Sequence, residues 1–200
     1  MKKFELTSEF ITNIFGTKLF RIKALIEFGN VKAGELGGFV EKEENLSQDG
    51  NAWVYDNARV YGNARVYGDA CVCGVARVYD NARVHGNAWV YGNARVHGNA
   101  CVYGNACVCG DACVCGDARV CGDACVYGDA GYATVHGFGS EYRTTTFFKT
   151  KAGVGVKCGC FYGNLSEFRK KVVETHGETK KAKEYLMLAD LMEFRFSDNS

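Results

Sequence analysis

From Ala52 to Ala130 an alanine recurs at every sixth position without a break, and from Val54 to Val126 a valine does the same. The unit reads Gly-(Asn/Asp)-Ala-x-Val-(Tyr/His/Cys), with Asp56, Asp80 and Val75 as variations at the glycine slot or its neighbour. A six-residue period suits neither a helix nor an array of hairpins. It marks a β-solenoid. Ala and Val alternate with the x residues, so the two-residue period of a strand sends Ala and Val inward and the x residues outward. Gly-Asn and Gly-Asp pairs tolerate positive φ and supply the turns. Three such sides close a triangular coil of 18 residues, and successive coils stack as parallel strands about 4.8 Å apart.

Composition agrees with a repeat: 25 Gly and no Pro among 200 residues. With 24 Lys and Arg against 23 Asp and Glu the chain is nearly neutral, which disfavours a nucleic-acid-binding role resting on bulk charge. The hydrophobic fraction of 47% excludes a disordered chain. Residues 1–15 lack the apolar run and cleavage site of a signal peptide, and no stretch approaches the roughly 20 apolar residues of a membrane span. A cytoplasmic protein without membrane contact is expected. Thiols stay reduced there, so 11 cysteines, an odd number, are not read as a disulfide framework.

The chain resembles the hexapeptide-repeat superfamily, with Val in the aliphatic slot and Ala in the small one, and the resemblance implies a left-handed β-helix. Residues Arg21–Leu25, Gly34–Val40, Asn45–Ser47 and Ala52–Val54 look like the N-terminal segment of bacteriophage and prophage hexapeptide-repeat proteins. Those proteins are often labelled polymer-forming or putative transferase. Thr144–Phe148, Cys158–Phe161 and Leu165–Phe168 look phage-type as well.

The 18-residue step names the outer columns. One side carries Trp53, Cys71, Trp89, Cys107 and Cys125 beside Tyr55, Cys73, Tyr91, Cys109 and Tyr127, with no charge. A contiguous apolar face of this size is rarely left in water. Trp53, Tyr55, Trp89, Tyr91 and Tyr127 are therefore expected beneath a second subunit of a homo-oligomer or the C-terminal segment. The second side carries Arg59, Arg77 and Arg95 beside Tyr61, Tyr79 and His97; the third carries Arg65, Arg83 and Arg119 beside Tyr67, His85 and Tyr103. Arginine over a neighbouring Tyr ring is the plain reading. The sharper one is an anion site, with guanidinium forks on phosphate and a ring to stack a base. A second anion candidate is the donor set Arg143, Thr144, Thr146 and Lys149.

Cys-x-Cys occurs at 71/73, 107/109, 113/115 and 158/160. A corner separates 107/109 from 113/115, no His completes a set at 107 and 125, and Cys158 and Cys160 share a face with Val154 and Val156 as small buried hydrophobes. No metal site is expected. His85 and His97 occupy slots otherwise filled by Tyr or Cys, which reads as packing. No loop interrupts the repeats to build an acceptor pocket, so no catalytic residue and no cofactor are assigned.

Leu36, Val40 and Leu46 fall in the register of the inner slots, so a degenerate first coil starts near residue 35. Residues 1–34 read as an N-terminal cap with a strand over Lys18 to Phe28, 35–137 as the β-helix, and 138–200 as a small α+β domain. Within that domain, 143–150 and 154–161 read as a hairpin. Asn164 and Glu167 form a capping box for a helix through His176, Gly177 stops it, and an amphipathic helix spans 180–196. The expected function is a non-enzymatic phage-type binding protein that captures a small anionic, nucleotide-like ligand or blocks a host defence protein. The alternative is a trimeric hexapeptide-repeat acyltransferase.

Overall fold

The computed structural model describes residues 2–139 and 141–197. Met1, Ser140 and residues 198–200, which the sequence assigns to the cap and the C-terminal domain, lie outside them. Strands β1 (Phe4–Thr12) and β2 (Lys18–Ala24) form an antiparallel hairpin, and β2 pairs antiparallel with β3 (Leu36–Val40). Thirteen short strands follow, from β4 (Trp53–Val54) to β16 (Cys125–Tyr127), and all pair in parallel across the 18-residue step. This is a parallel β-solenoid of about five turns. Every repeat Ala from 52 to 124 and every repeat Val from 54 to 126 is buried in one continuous core.

The corners show why glycine dominates them. Their φ values lie near +70°, where a Cβ is strained. Asp56 and Asp80 stand in that slot at φ 54° and 60°. Their carboxylates accept hydrogen bonds from the N–H groups of Gly74 (3.0 Å) and Gly98 (3.2 Å) one coil further on, which offsets the strain. Beside them run side-chain amide ladders, Asn63–Asn81–Asn99 and Asn87–Asn105, each ending at an Asp: Asn99 donates to Asp117 at 3.0 Å and Asn105 to Asp123 at 3.1 Å. A carboxylate only accepts, so an aspartate terminates an amide ladder.

An open solenoid end templates further strands unless its backbone groups are satisfied. At the N-terminal end, donors reach carbonyls. Lys3 Nζ donates to Ala52 O (3.0 Å), and Asn45 Nδ2 donates to Ala64 O (2.8 Å) and Gly62 O (3.1 Å). Burial lowers the Lys3 pKa to about 8, against the opposing pull of Asp49 and Asp69. At the other end, acceptors reach N–H groups: Asp129 Oδ1 takes that of Cys113 (2.8 Å), the Tyr132 hydroxyl that of Cys115 (3.3 Å) and Thr146 Oγ1 that of Arg119 (3.0 Å).

The last coil ends at β16. Residues β17 (Tyr132–Val135), which restate the hexapeptide out of phase, pair antiparallel with β18 (Thr145–Thr150). Next come β19 (Gly153–Cys158) and β20 (Phe161–Asn164), giving the sheet order β17-β18-β19-β20. The hairpin is thus part of a four-stranded sheet. Helices α1 (Leu165–His176) and α2 (Lys180–Phe196) pack on it through Phe168, Val172, Tyr185 and Met192, against Phe147 and Val156. Asn164 and Glu167 form the capping box, and Gly177 is the C-cap. Phe148, next to Phe147, points the other way into the solenoid core, as alternation along a strand requires.

Three expectations are corrected. Leu36 is 53% exposed: it pairs with Lys23 in the hairpin sheet and does not enter the first coil's interior. The apolar stripe of α2 is used up on the C-terminal sheet and α1, so it does not cover the uncharged solenoid side. There Trp89 is 53% and Tyr127 76% exposed. Trp53 is fully buried, but its cover is N-terminal: Phe28 and Phe4 meet its ring edge-on at 5.3 and 6.1 Å.

Candidate functional site

In-register stacking turns the outer slots into columns of like atoms. On the second side Tyr61, Tyr79 and His97 stack with planes within 5° and centroids 5.1 and 4.7 Å apart. On the third, Tyr67, His85 and Tyr103 stack at 4.7 and 5.1 Å. Arg59, Arg77 and Arg95 lie in register beside the first stack, and Arg65 and Arg83 beside the second. The rings turn their faces to one another. Among the described residues the cation–π contacts belong to Lys3, Lys18, Arg21 and Arg195, and none of the column arginines lies over a ring. Among the described residues none of them is in an ion pair either. Like charges one strand apart repel, so each column concentrates positive charge on its side of the solenoid.

A ring inside such a stack has no free face, so a planar ligand stacks only at an end. Tyr67 begins the third-side stack, because Leu46 pairs with Val66 and so sets the non-aromatic Ser47 over Tyr67. A cavity of about 670 Å³ opens there, lined by Arg65, Arg83, Tyr67, Glu43, Glu44 and Gln48. Glu43 is neutralised by Lys2 at 2.5 Å, whereas Glu44 is exposed. Next down the stack, burial and then the Arg83 charge lower the His85 pKa below its ordinary value. The imidazole is therefore neutral at physiological pH, and its Nε2 lies 3.5 Å from Cys101 Sγ. Burial pushes the Cys101 thiol up.

The C-terminal donor set is dispersed. Thr146 is buried with its hydroxyl oxygen on the Arg119 N–H, Thr144 Oγ1 meets His136 Nδ1 at 3.1 Å, and Arg143 pairs with Glu141 at 3.5 Å. Lys149 is exposed on β18. A cavity of about 320 Å³ is lined by Arg143, Cys158, Cys160, His176 and Tyr185. Cys160 is exposed there, contrary to its reading as a buried hydrophobe, because the turn after β19 carries it outward. On the uncharged side Tyr55 is half-buried and Tyr91 38% exposed.

The cysteines at the bottom of the solenoid form groups that the Cys-x-Cys spacing alone did not disclose. Cys107, Cys109 and Cys125 bring their sulfurs within 4.8 Å of one another, and so do the ligand atoms of His97, Cys113 and Cys115. The arithmetic that finds the second group is simple, since 97 plus 18 is 115.

Comparison with known proteins agrees with this architecture. Residues 52–68, 58–74 and 76–92 match the YdcK beta solenoid repeat. A stretch of 63 residues is 40% identical to the "Uncharacterized acetyltransferase YdcK" of Escherichia coli (strain K12), over 28% of this chain. The match spans about a fifth of that relative's length, 19%. Both support a hexapeptide-repeat β-helix protein, and neither bears on a phage origin. Among the described residues no helix is long and apolar enough to cross a membrane.

Proposed function

We propose that this solenoid binds a coenzyme A thioester at the mouth of the third side and transfers its acyl group to an amine, with His85 as the base. One observation carries the reading: Arg65 and Arg83 share a cavity with Tyr67, the end ring of its stack, which lies directly on the neutral imidazole of His85. Guanidinium forks suit the phosphates of such a carrier, a ring face suits its adenine, and the Glu44 carboxylate suits a cationic acceptor. The similarity to a protein named as an acetyltransferase in E. coli adds support.

The amine, once deprotonated to its neutral form, attacks the thioester carbonyl. His85 takes the remaining excess proton as the C–N bond forms. The C–S bond breaks, and the coenzyme thiolate leaves and takes that proton back from the imidazolium of His85, which regenerates the base. A neutral imidazole is needed at the first step, which its lowered pKa provides.

The competing reading is non-enzymatic capture of the same phosphorylated ligand, favoured by the unbroken hexapeptide register from Ala52 to Ala124, which extrudes no acceptor loop. Release of free thiol from acetyl-CoA in the presence of small amines separates the two. Acyl transfer predicts release that falls by about 10²–10⁴-fold in His85→Asn. Binding without any thiol release would leave capture, and neither binding nor release would reject both.

A further inference from the structure

We propose that His97, Cys113 and Cys115 form a site for zinc or a similar borderline divalent ion, with three protein ligands and an open fourth position. The inference is independent of acyl transfer, and it replaces the expectation that no metal site exists.

The ligands come from two adjacent coils. Arg95 pairs in register with Cys113, so two residues on His97 stands over Cys115, and Cys113 flanks it on the same outer face. His97 Nε2 is 3.4 Å from Cys113 Sγ, and all three ligand atoms lie within 4.8 Å of one another. A tetrahedral zinc with bonds of about 2.3 Å to sulfur and 2.0–2.1 Å to nitrogen holds its ligand atoms roughly 3.5–3.8 Å apart. The group needs only side-chain adjustment to close on an ion.

The surroundings are those of a ligating imidazole. Metal-bound His passes its second ring N–H to a carboxylate, which sets tautomer and orientation. Asp80 Oδ2 lies 3.7 Å from His97 Nδ1, held by its own hydrogen bond from Gly98 N. Tyr79 fixes the ring plane by stacking at 4.7 Å. On the other flank the Tyr132 hydroxyl, donating to Cys113 O at 2.8 Å, lies 3.7 Å from Cys115 Sγ. A cavity of about 360 Å³ lined by Cys113, Cys115, Asp129, Tyr132 and Thr134 leaves room for a water or small ligand in the fourth position.

Donor chemistry selects the ion. Two thiolates and an imidazole suit zinc and exclude the hard ions magnesium and calcium, which prefer oxygen. Cys107, Cys109 and Cys125 form the internal comparison. That group has no imidazole, and Cys109 is buried with its thiol donating to Val126 O at 3.8 Å.

The test is titration of the reduced, metal-stripped full chain with cobalt(II), read by thiolate-to-cobalt charge transfer and the visible bands of a tetrahedral ion, then displacement by zinc. The expected result is one equivalent bound. Affinity should fall by at least about 100-fold in Cys113→Ser and Cys115→Ser, and by about 10–100-fold in Asp80→Asn, as for other orienting partners. Cys107→Ser should bind as the parent does. Circular dichroism confirms that each variant is folded. No tetrahedral spectrum in the parent, or a spectrum that survives both Cys113→Ser and Cys115→Ser, would overturn the site. So would a spectrum abolished by Cys107→Ser.

Discussion

The coils around Arg65, Tyr67, Arg83 and His85 and the coils from Cys107 to Cys125 have the same interior, alanine and valine at every inward slot, all buried. Their exteriors differ column by column. Tyr61 and Tyr79 lead to His97 and then Cys115, Arg77 and Arg95 lead to Cys113, and His85 and Tyr103 lead to Cys121. Upper coils present cations and rings; lower coils present thiols above corners that end in Asp111, Asp117 and Asp123. A parallel ladder makes every outer substitution a neighbour of its equivalent one coil away. The repeat can therefore hold an anion site and a soft-metal site on one scaffold without changing its core.

The contrast between inside and outside is the easiest to break. Val90→Asp places an unpaired carboxylate in the prism, a cost of several kcal/mol that exceeds what a domain of this size can lose. Loss of soluble folded protein is expected, whereas its outward neighbour substituted as Trp89→Arg should stay within about 0.5 kcal/mol of the parent. A folded Val90→Asp protein would refute the register behind every column.

The two tryptophans of one column sharpen it next. Trp53 lies under Phe4 and Phe28, and Trp89 stands in water. Trp53→Ala should cost about 3–5 kcal/mol and Trp89→Ala less than about 1, measured by urea denaturation. Iodide should quench Trp89 and spare Trp53. If both are spared, a second copy of the chain covers the uncharged side, and the mass in solution will report it.

A smaller effect separates the two ends of the chain. Asn164→Ala removes the cap of α1 and should cost about 1 kcal/mol, felt in the C-terminal sheet and helices. Hydrogen exchange should accelerate in α1 and leave the coils unchanged.

The smallest effect is a pH dependence. The folded chain holds His85 below its ordinary pKa through burial and Arg83, so near and below the ordinary imidazole value of about 6.5 the unfolded chain binds the extra proton more readily. Stability contributed by the neutral ring is present above that range and is lost as pH falls through it. His85→Asn should flatten the acid side of the stability profile. An unchanged slope would show that the ring is not desolvated.

Much of this was legible in the residues. The 18-residue step specifies the pairings among the coils from β4 onward, such as Trp53 with Cys71 and Arg59 with Arg77, whereas the degenerate first coil pairs Val40 with Val60 and Leu46 with Val66. Asn164, Glu167 and Gly177 mark α1 because capping is local chemistry. What escaped depends on contacts between segments with no shared period. Nothing in residues 1–45 says that Phe4 and Phe28 cover Trp53, or that Lys3 and Asn45 supply donors to bare carbonyls. Residues Ala133–Val135 carry the hexapeptide pattern, yet their partner is β18, because no further coil follows to pair with them. That Tyr67 ends its stack depends on the pairing of Leu46 with Val66, which sets Ser47 over it and which the 18-residue repeat does not announce.

The central claim is that the upper coils bind a phosphorylated acyl carrier through Arg65 and Arg83. Calorimetric titration with coenzyme A tests it most directly, in the parent, in Arg65→Ser/Arg83→Ser, and in Arg77→Ser/Arg95→Ser on the neighbouring side. The account predicts binding that weakens with salt, because charge pairing at an open cavity is screened within about 8–10 Å. It predicts loss in the first double variant and near-parental affinity in the second. Binding that survives Arg65→Ser/Arg83→Ser, or no heat with any of the three proteins, would contradict it.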